Sequence, residues 1–170
     1  MEYKEYIRDI QDFPTKGVDF KDITPLLKSE KSYHNVIKEF TELACCLEAD
    51  VVTAIEARGF FFGAPLALQL NKPFIPLRKA GKLPFKTVSC SYDLEYGQSV
   101  LEIHEDAIVN GQRVIVVDDV LASGGTMSAA VNLLKKCGAQ IVGCFVVIEL
   151  SEFNARDKFD FTNLLSLVKY

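Results

Sequence analysis

Short apolar runs alternate with longer stretches of helical periodicity along most of this 170-residue chain. Residues 51–55, 74–77, 114–117 and 141–148 are compact apolar runs of the kind that form buried strands. Between and around them lie helical patterns. Ser32 reads as an N-cap, and Val36, Ile37, Phe40, Leu43, Ala44 and Leu47 follow it as a stripe at helical spacing. Two further helices are predicted over 59–70 and 125–137, and a short one over 2–10. Residues 12–27 hold two prolines, a glycine and alternating apolar positions, and read as ordered but irregular. Residues 87–92 and 99–104 read as the strands of an extended hairpin arm, with its turn near Glu95, Tyr96, Gly97 and Gln98. The end of the chain, 161–170, predicts one more strand. Strands alternating with helices imply an α/β fold whose mainly parallel sheet is covered on both faces.

Charge changes this picture in one place. The formal net charge is -4, which argues against a general nucleic-acid binder. Yet residues 57–92 hold no Asp or Glu and carry Arg58, Lys72, Arg78, Lys79, Lys82 and Lys86. A basic span in an acidic chain suits either a solvated cationic face or a site for a compact polyanion. The five cysteines, Cys45, Cys46, Cys90, Cys137 and Cys144, show no zinc spacing, and four lie in apolar surroundings. Buried, reduced thiols and a cytoplasmic location are expected. The charged N-terminus has no signal-like apolar core, and the apolar stretch 59–70 is too short to span a bilayer, so no membrane partner is expected. With no repeat or linker, residues 1–170 are expected to form a single domain.

The strongest chemical signal is VIVVDDVLASGGT, residues 114–126. A buried strand ends in Asp118 and Asp119, and a short loop with Ser123, Gly124, Gly125 and Thr126 opens a helix. Ligands of open parallel sheets bind outside the carboxyl ends of the strands. Glycines let backbone N–H groups converge on a phosphate, and a helix N-terminus adds partial positive charge. Adjacent carboxylates can accept hydrogen bonds from ribose hydroxyls, which relieves their mutual repulsion. An ordinary polar turn with an N-cap is the plainer account of the same residues.

This segment resembles the phosphoribosyl pyrophosphate (PRPP) motif of the type I phosphoribosyltransferases, in which Ala122 would also belong to the binding loop. Three further segments narrow the resemblance to the adenine-specific branch. Residues 12–27 resemble its N-terminal base-binding hood, Glu56-Ala57-Arg58-Gly59-Phe60 its pyrophosphate loop, and residues 78–84 with 92–97 its flexible catalytic loop. The chain departs from the family's usual residues at Asp19, Lys21, Ser123 and Ala155. The resemblance implies the type I phosphoribosyltransferase fold, with a hood over about 1–30 and a core over about 31–160 that includes an arm over 79–105. It also implies conversion of adenine and PRPP to AMP and pyrophosphate. Mg²⁺ would be the cofactor, bound mainly through PRPP and water rather than by direct protein ligands, and a homodimer is expected. Glu56, Ala57, Arg58, Arg78, Lys79 and Lys82 would bind pyrophosphate, with a cis peptide between Glu56 and Ala57. Val18, Asp19, Phe20, Lys21 and either Val120 or Leu121 would bind the base. Glu95 would assist the proton on the purine, with Asp93 as its competitor. His34 and His104 read as structural or solvated. An oxopurine-specific enzyme, and a regulator that binds PRPP without turnover, are the alternatives. The hood argues against the first; the basic loop with Glu95, and the lack of a DNA-binding extension, argue against the second.

Overall fold

The computed structural model describes residues 2–93 and 98–170. Glu95, with Leu94, Tyr96 and Gly97, lies outside the described residues. Strands β1 (Arg8–Ile10) and β2 (Phe20–Asp22) form a small antiparallel sheet. The main sheet contains β3 (Val51–Ile55), β4 (Phe74–Lys79), β5 (Thr87–Asp93), β6 (Gln98–His104), β7 (Arg113–Leu121), β8 (Gln140–Glu149) and β9 (Leu164–Lys169), in the order β5-β6-β4-β3-β7-β8-β9. Its five-strand centre, β4 to β9, is parallel. The β5–β6 hairpin adds to β4 antiparallel, as the arm pattern predicts. All five residues of β3 are buried, the signature of a strand covered on both faces.

Helices α1 (Thr24–Lys28), α2 (Glu30–Ala44) and α3 (Phe60–Gln69) cover one face with the hood. Phe40 of α2 is fully buried and packs its ring against Phe145 of β8 and Phe62 of α3, at centroid distances of 5.4 and 6.5 Å. Helix α4 (Gly125–Lys136) covers the other face with the hairpin, burying Leu133 and Leu134 against Val114, Val116 and Val146. The short helix α5 (Ala155–Lys158) lies between β8 and β9.

Three local expectations are corrected. Residues 2–10 are not one helix. A single 3-10 turn, Tyr3–Tyr6, ends at an extended Ile7, because the next residues pair with β2 in the register Arg8↔Asp22 to Ile10↔Phe20. Ser32 is not the N-cap of α2. Ser29 caps it, accepting a hydrogen bond from Ser32 N, while the buried Ser32 hydroxyl donates to Leu26 O at 2.8 Å. All five cysteines are free, but only Cys144 is buried; Cys45 and Cys46 follow α2 on the exposed side of its last turn. No helix of the described residues is long and apolar enough to cross a membrane.

The C-terminal part is tied to the sheet by one buried acid. Glu149, at the end of β8, is 5% exposed. Arg156 of α5 donates to it through Nε at 2.7 Å and Nη2 at 2.8 Å, and through Nη1 to Leu164 O at 3.1 Å. The Ser166 hydroxyl of β9 donates to the same carboxylate, and Lys169 Nζ is 3.7 Å away. These bonds, Arg156 foremost, hold the Glu149 carboxyl at about 2 against the opposing effect of burial. A carboxyl whose folded value lies below its ordinary 4.5 stabilises the fold fully above that value, and loses its contribution as pH falls through about 2. Arg156 is partly exposed, so Glu149→Gln is expected to cost only about 1–2 kcal/mol at neutral pH. Urea titrations from pH 7 down to pH 2 should show the gap between wild type and variant closing below about pH 4.5; a gap that stays constant would show that the ion pair is not its source.

Candidate active site

The carboxyl edge of the sheet is uneven. Pairing of β7 with β3 ends at Val117↔Ala54, whereas pairing of β7 with β8 continues to Leu121↔Glu149. Asp118 and Asp119 therefore lie within β7, not just beyond it, on a stretch that has lost its β3 neighbour. The turn leaving β3 fills that gap. Its Glu56–Ala57 peptide is cis, as the resemblance implies. Gly59 follows at the seam between the strands. A Cβ there would lie 2.6 Å from Ile55 O, 2.9 Å from Val117 O and 3.1 Å from Asp118 Oδ1, so only glycine lets α3 start this close to the sheet.

That approach brings Arg58 to the acids. Its Nε lies 2.9 Å from Asp119 Oδ2. The pairing is of charges without hydrogen-bond alignment, since Asp119 Oδ2 is buried and takes no hydrogen bond. Asp118 Oδ1 accepts from the Asp119 backbone N–H at 2.9 Å. Burial, then the adjacent Asp119 charge, push the Asp118 carboxyl well up; burial raises Asp119 as well, against the pull of Arg58.

Residues 122–126 curl away from β7 into α4. Gly124 takes φ +87°, and no side chain caps the helix. The first N–H groups of a helix have no partner within it, and here they border a cavity of about 300 Å³. The 56–58 turn and residues 118–126 bound this cavity, joined by Lys79 from the end of β4 and by Tyr92 and Ser99 from the hairpin. Tyr92 and Ser99 are a cross-strand pair; the resemblance puts Tyr92 in the catalytic-loop segment without a binding role and gives Ser99 none, and the alternation that turns Val88, Cys90 and Tyr92 toward the core is the signal for this face.

The remaining predicted residues fall into two groups. In the hood, the Arg58 guanidinium lies 5.0 Å over the Phe20 ring, which Phe13 meets edge-on at 5.2 Å. Val18 is half-buried and Asp19 exposed. Lys21 turns elsewhere: its Nζ is 2.7 Å from Asp9 Oδ1 and 4.2 Å over the Tyr170 ring. Val120 packs with the hood-side core while Leu121 is buried under α4, so Val120 is the one on the hood's side.

Arg78 is the second departure. Its guanidinium does not border the cavity but forks onto Glu56, with Nε at 3.1 Å from Oε2 and Nη2 at 3.2 Å from Oε1, and donates through Nη1 to Lys82 O. Glu56 also accepts from Lys79 N at 2.9 Å, and Arg78 above all holds its carboxyl below the usual carboxylate range. Lys79 and Lys82 are exposed. The acid-free span is thus partly neutralised from outside itself, through Arg58–Asp119 and Lys86–Glu105, as well as by Glu56 just before it.

The arrangement presents acceptors for sugar hydroxyls, N–H donors for a phosphate and cations for a polyanion around one cavity. Residues 29–169 match the phosphoribosyl transferase domain family. The chain is 49% identical over 170 residues to an adenine phosphoribosyltransferase of Carboxydothermus hydrogenoformans, covering 100% of both. It is also similar to the crystal structure of the Thermoanaerobacter pseudethanolicus adenine phosphoribosyltransferase, with a TM-score of 0.96 and 46% identity over 99% of this chain and 98% of that one. A Saccharomyces cerevisiae adenine phosphoribosyltransferase, complexed with adenine and an imino-altritol bisphosphate, gives a TM-score of 0.91 and 33% identity over 98% and 97% of the two chains. On its sequence, its fold and its matched domain, this chain belongs to the adenine phosphoribosyltransferase family, on the type I phosphoribosyltransferase fold.

Proposed function

We propose that this chain joins adenine to the phosphoribosyl group of PRPP in the cavity at the ends of β3 and β7, giving AMP and pyrophosphate as an enzyme of purine salvage. The observation that carries the reading is the adjacent carboxylate pair at the mouth of a glycine loop, Asp119 buried and Asp118 half-buried, with Asp119 Oδ2 lacking a hydrogen-bond partner. A buried acceptor without a donor is costly, and ribose hydroxyls supply that donor.

In the reaction the bond from ribose C1 to the pyrophosphate oxygen breaks, its electron pair leaves with pyrophosphate, and purine N9 bonds to C1 while losing its proton. Positive charge develops on the sugar and negative charge on the leaving group, so catalysis is mainly positional and electrostatic. Asp118 and Asp119 accept from the ribose hydroxyls. Residues 122–126 hold the 5-phosphate through backbone N–H groups and the hydroxyls of Ser123 and Thr126. Ala57, Arg58, Lys79 and Lys82 receive pyrophosphate. Arg78 acts through Glu56 and Lys82 as a positioning residue, because its guanidinium is already engaged. Phe20 and Val120 clamp the purine, and main-chain groups around 18–21 read its edge. Glu95 is assigned the proton on the base by resemblance.

Mg²⁺ fits the same chemistry. It is a hard cation that prefers oxygen. It would be bound mainly through PRPP and water, beside the oxygen donors of Asp118 and Asp119. When bound, it supplies charge neutralisation for the departing pyrophosphate. Residues 1–170 are proposed to work as one domain, in the cytoplasm, where five free cysteines remain reduced. A homodimer is proposed as well, and the exposed Phe61 and Leu68 of α3 suit such a contact.

With PRPP, Mg²⁺ and an equal mixture of adenine, hypoxanthine, guanine and xanthine, AMP is expected as the dominant product separated by chromatography. A different nucleotide would overturn the base assignment, and no nucleotide with intact PRPP binding would favour a regulator. Asp118→Asn combined with Asp119→Asn should lower kcat by at least about 10³-fold with an unchanged circular dichroism spectrum; normal turnover would remove the ribose-binding assignment. Glu95→Ala should lower kcat about 10²-fold, with a smaller effect on the KM for adenine, and a wild-type kcat would exclude its proton role.

A further inference from the structure

The back of the phosphate loop is not solvent. A Cβ on Gly124 would lie 2.8 Å from Phe159 Cδ2 and 3.1 Å from the Ala155 Cβ, so the α5 segment is seated flush against the loop. That segment cannot hold its own shape. α5 is a four-residue helix, far shorter than an independently stable one. Its anchor is Arg156, which forks onto Glu149 of β8 and reaches the Leu164 carbonyl at the start of β9. Arg156 lies one residue from Ala155 and three from Phe159, yet outside the substrate cavity.

We propose that Arg156 is a positioning residue for PRPP: by gripping Glu149 and Leu164 O it holds Ala155 and Phe159 behind Gly124, and so fixes the loop that receives the 5-phosphate. The proposal rests on the reading of residues 122–126 as the 5-phosphate loop. Gly124 lies on its cavity side as well as on its backed side. With φ at +87°, its conformation is set by its surroundings. A displacement of the support translates directly into the N–H groups of the loop, and phosphate binding is sensitive to their placement. Lysine at position 156 would keep the charge and lose the planar fork.

The test measures ribose 5-phosphate binding by calorimetry, and steady-state kinetics in both substrates, for wild type, Arg156→Lys and Phe159→Leu. Each variant is to be shown folded by a thermal transition well above the assay temperature. The expected result is ribose 5-phosphate affinity weakened, and the KM for PRPP raised, by about tenfold in both variants, with the KM for adenine within about twofold of wild type. Phe159→Leu keeps the test open if Arg156→Lys does not fold. Wild-type phosphate affinity in a folded variant would overturn the proposal, as would equal losses for PRPP and adenine, which would mark a general structural role. Failure of the wild-type protein to bind ribose 5-phosphate would overturn the phosphate-loop reading, and the proposal with it.

Discussion

The site depends on how closely α3 can start against the sheet. At Gly59 the carbonyls of Ile55 and Val117 and the carboxylate of Asp118 converge on the space a side chain would occupy. One turn later a Cβ on Gly63 would lie 2.5 Å from that of Ala54, so the helix stays flush with β3. This closeness decides where the preceding residues go. Arg58 is delivered to Asp119 and lies over Phe20 of the hood. Glu56 is turned the other way, to Arg78 and the Lys79 amide. One tight seam therefore ties three separate parts of the chain, the hood, the end of β4 and the paired acids, to a common edge.

Electrostatics explains why that edge can exist without ligand. Burial raises the proton affinity of both carboxylates, and the neighbouring Asp119 charge raises that of Asp118 further. Arg58 offsets part of this cost, but its contact leaves Asp119 Oδ2 without a hydrogen bond. The acids are thus held in place while their acceptor capacity remains open.

Much of this was legible in the residues. The apolar runs at 51–55, 114–117 and 141–148 located central strands because strands buried on both faces read as near-continuous apolar runs; Thr53 interrupts the first, and its buried hydroxyl donates to Ile115 O. The hairpin arm was legible from alternation. What was missed followed from pairing between distant segments. Residues 8–10 have a helical pattern locally but join a sheet with 20–22, a partner that no local periodicity reveals. The length of β7 was underestimated because Asp118 and Asp119 look like a strand end, whereas their pairing is set by β8. In the site, residue types pointed to polyanion chemistry but not to which cations are engaged. Arg78 and Lys79 are neighbours in sequence, yet only the first is claimed by Glu56 through its side chain, and only the second borders the cavity.

That division among the cations bears on the chemistry. A guanidinium forked onto a carboxylate is a rigid strut, since both partners lose their geometry if either moves. Arg78 and Arg156 are struts of this kind, one joining β4 to the turn after β3 and one joining α5 to β8. Arg58 differs: it meets Asp119 without hydrogen-bond alignment, so no fork fixes it. Lys79 and Lys82 have no carboxylate within ion-pair distance among the described residues. The forked arginines thus brace the surroundings of the cavity, while Arg58 and Lys79, which border it, are held by no such fork.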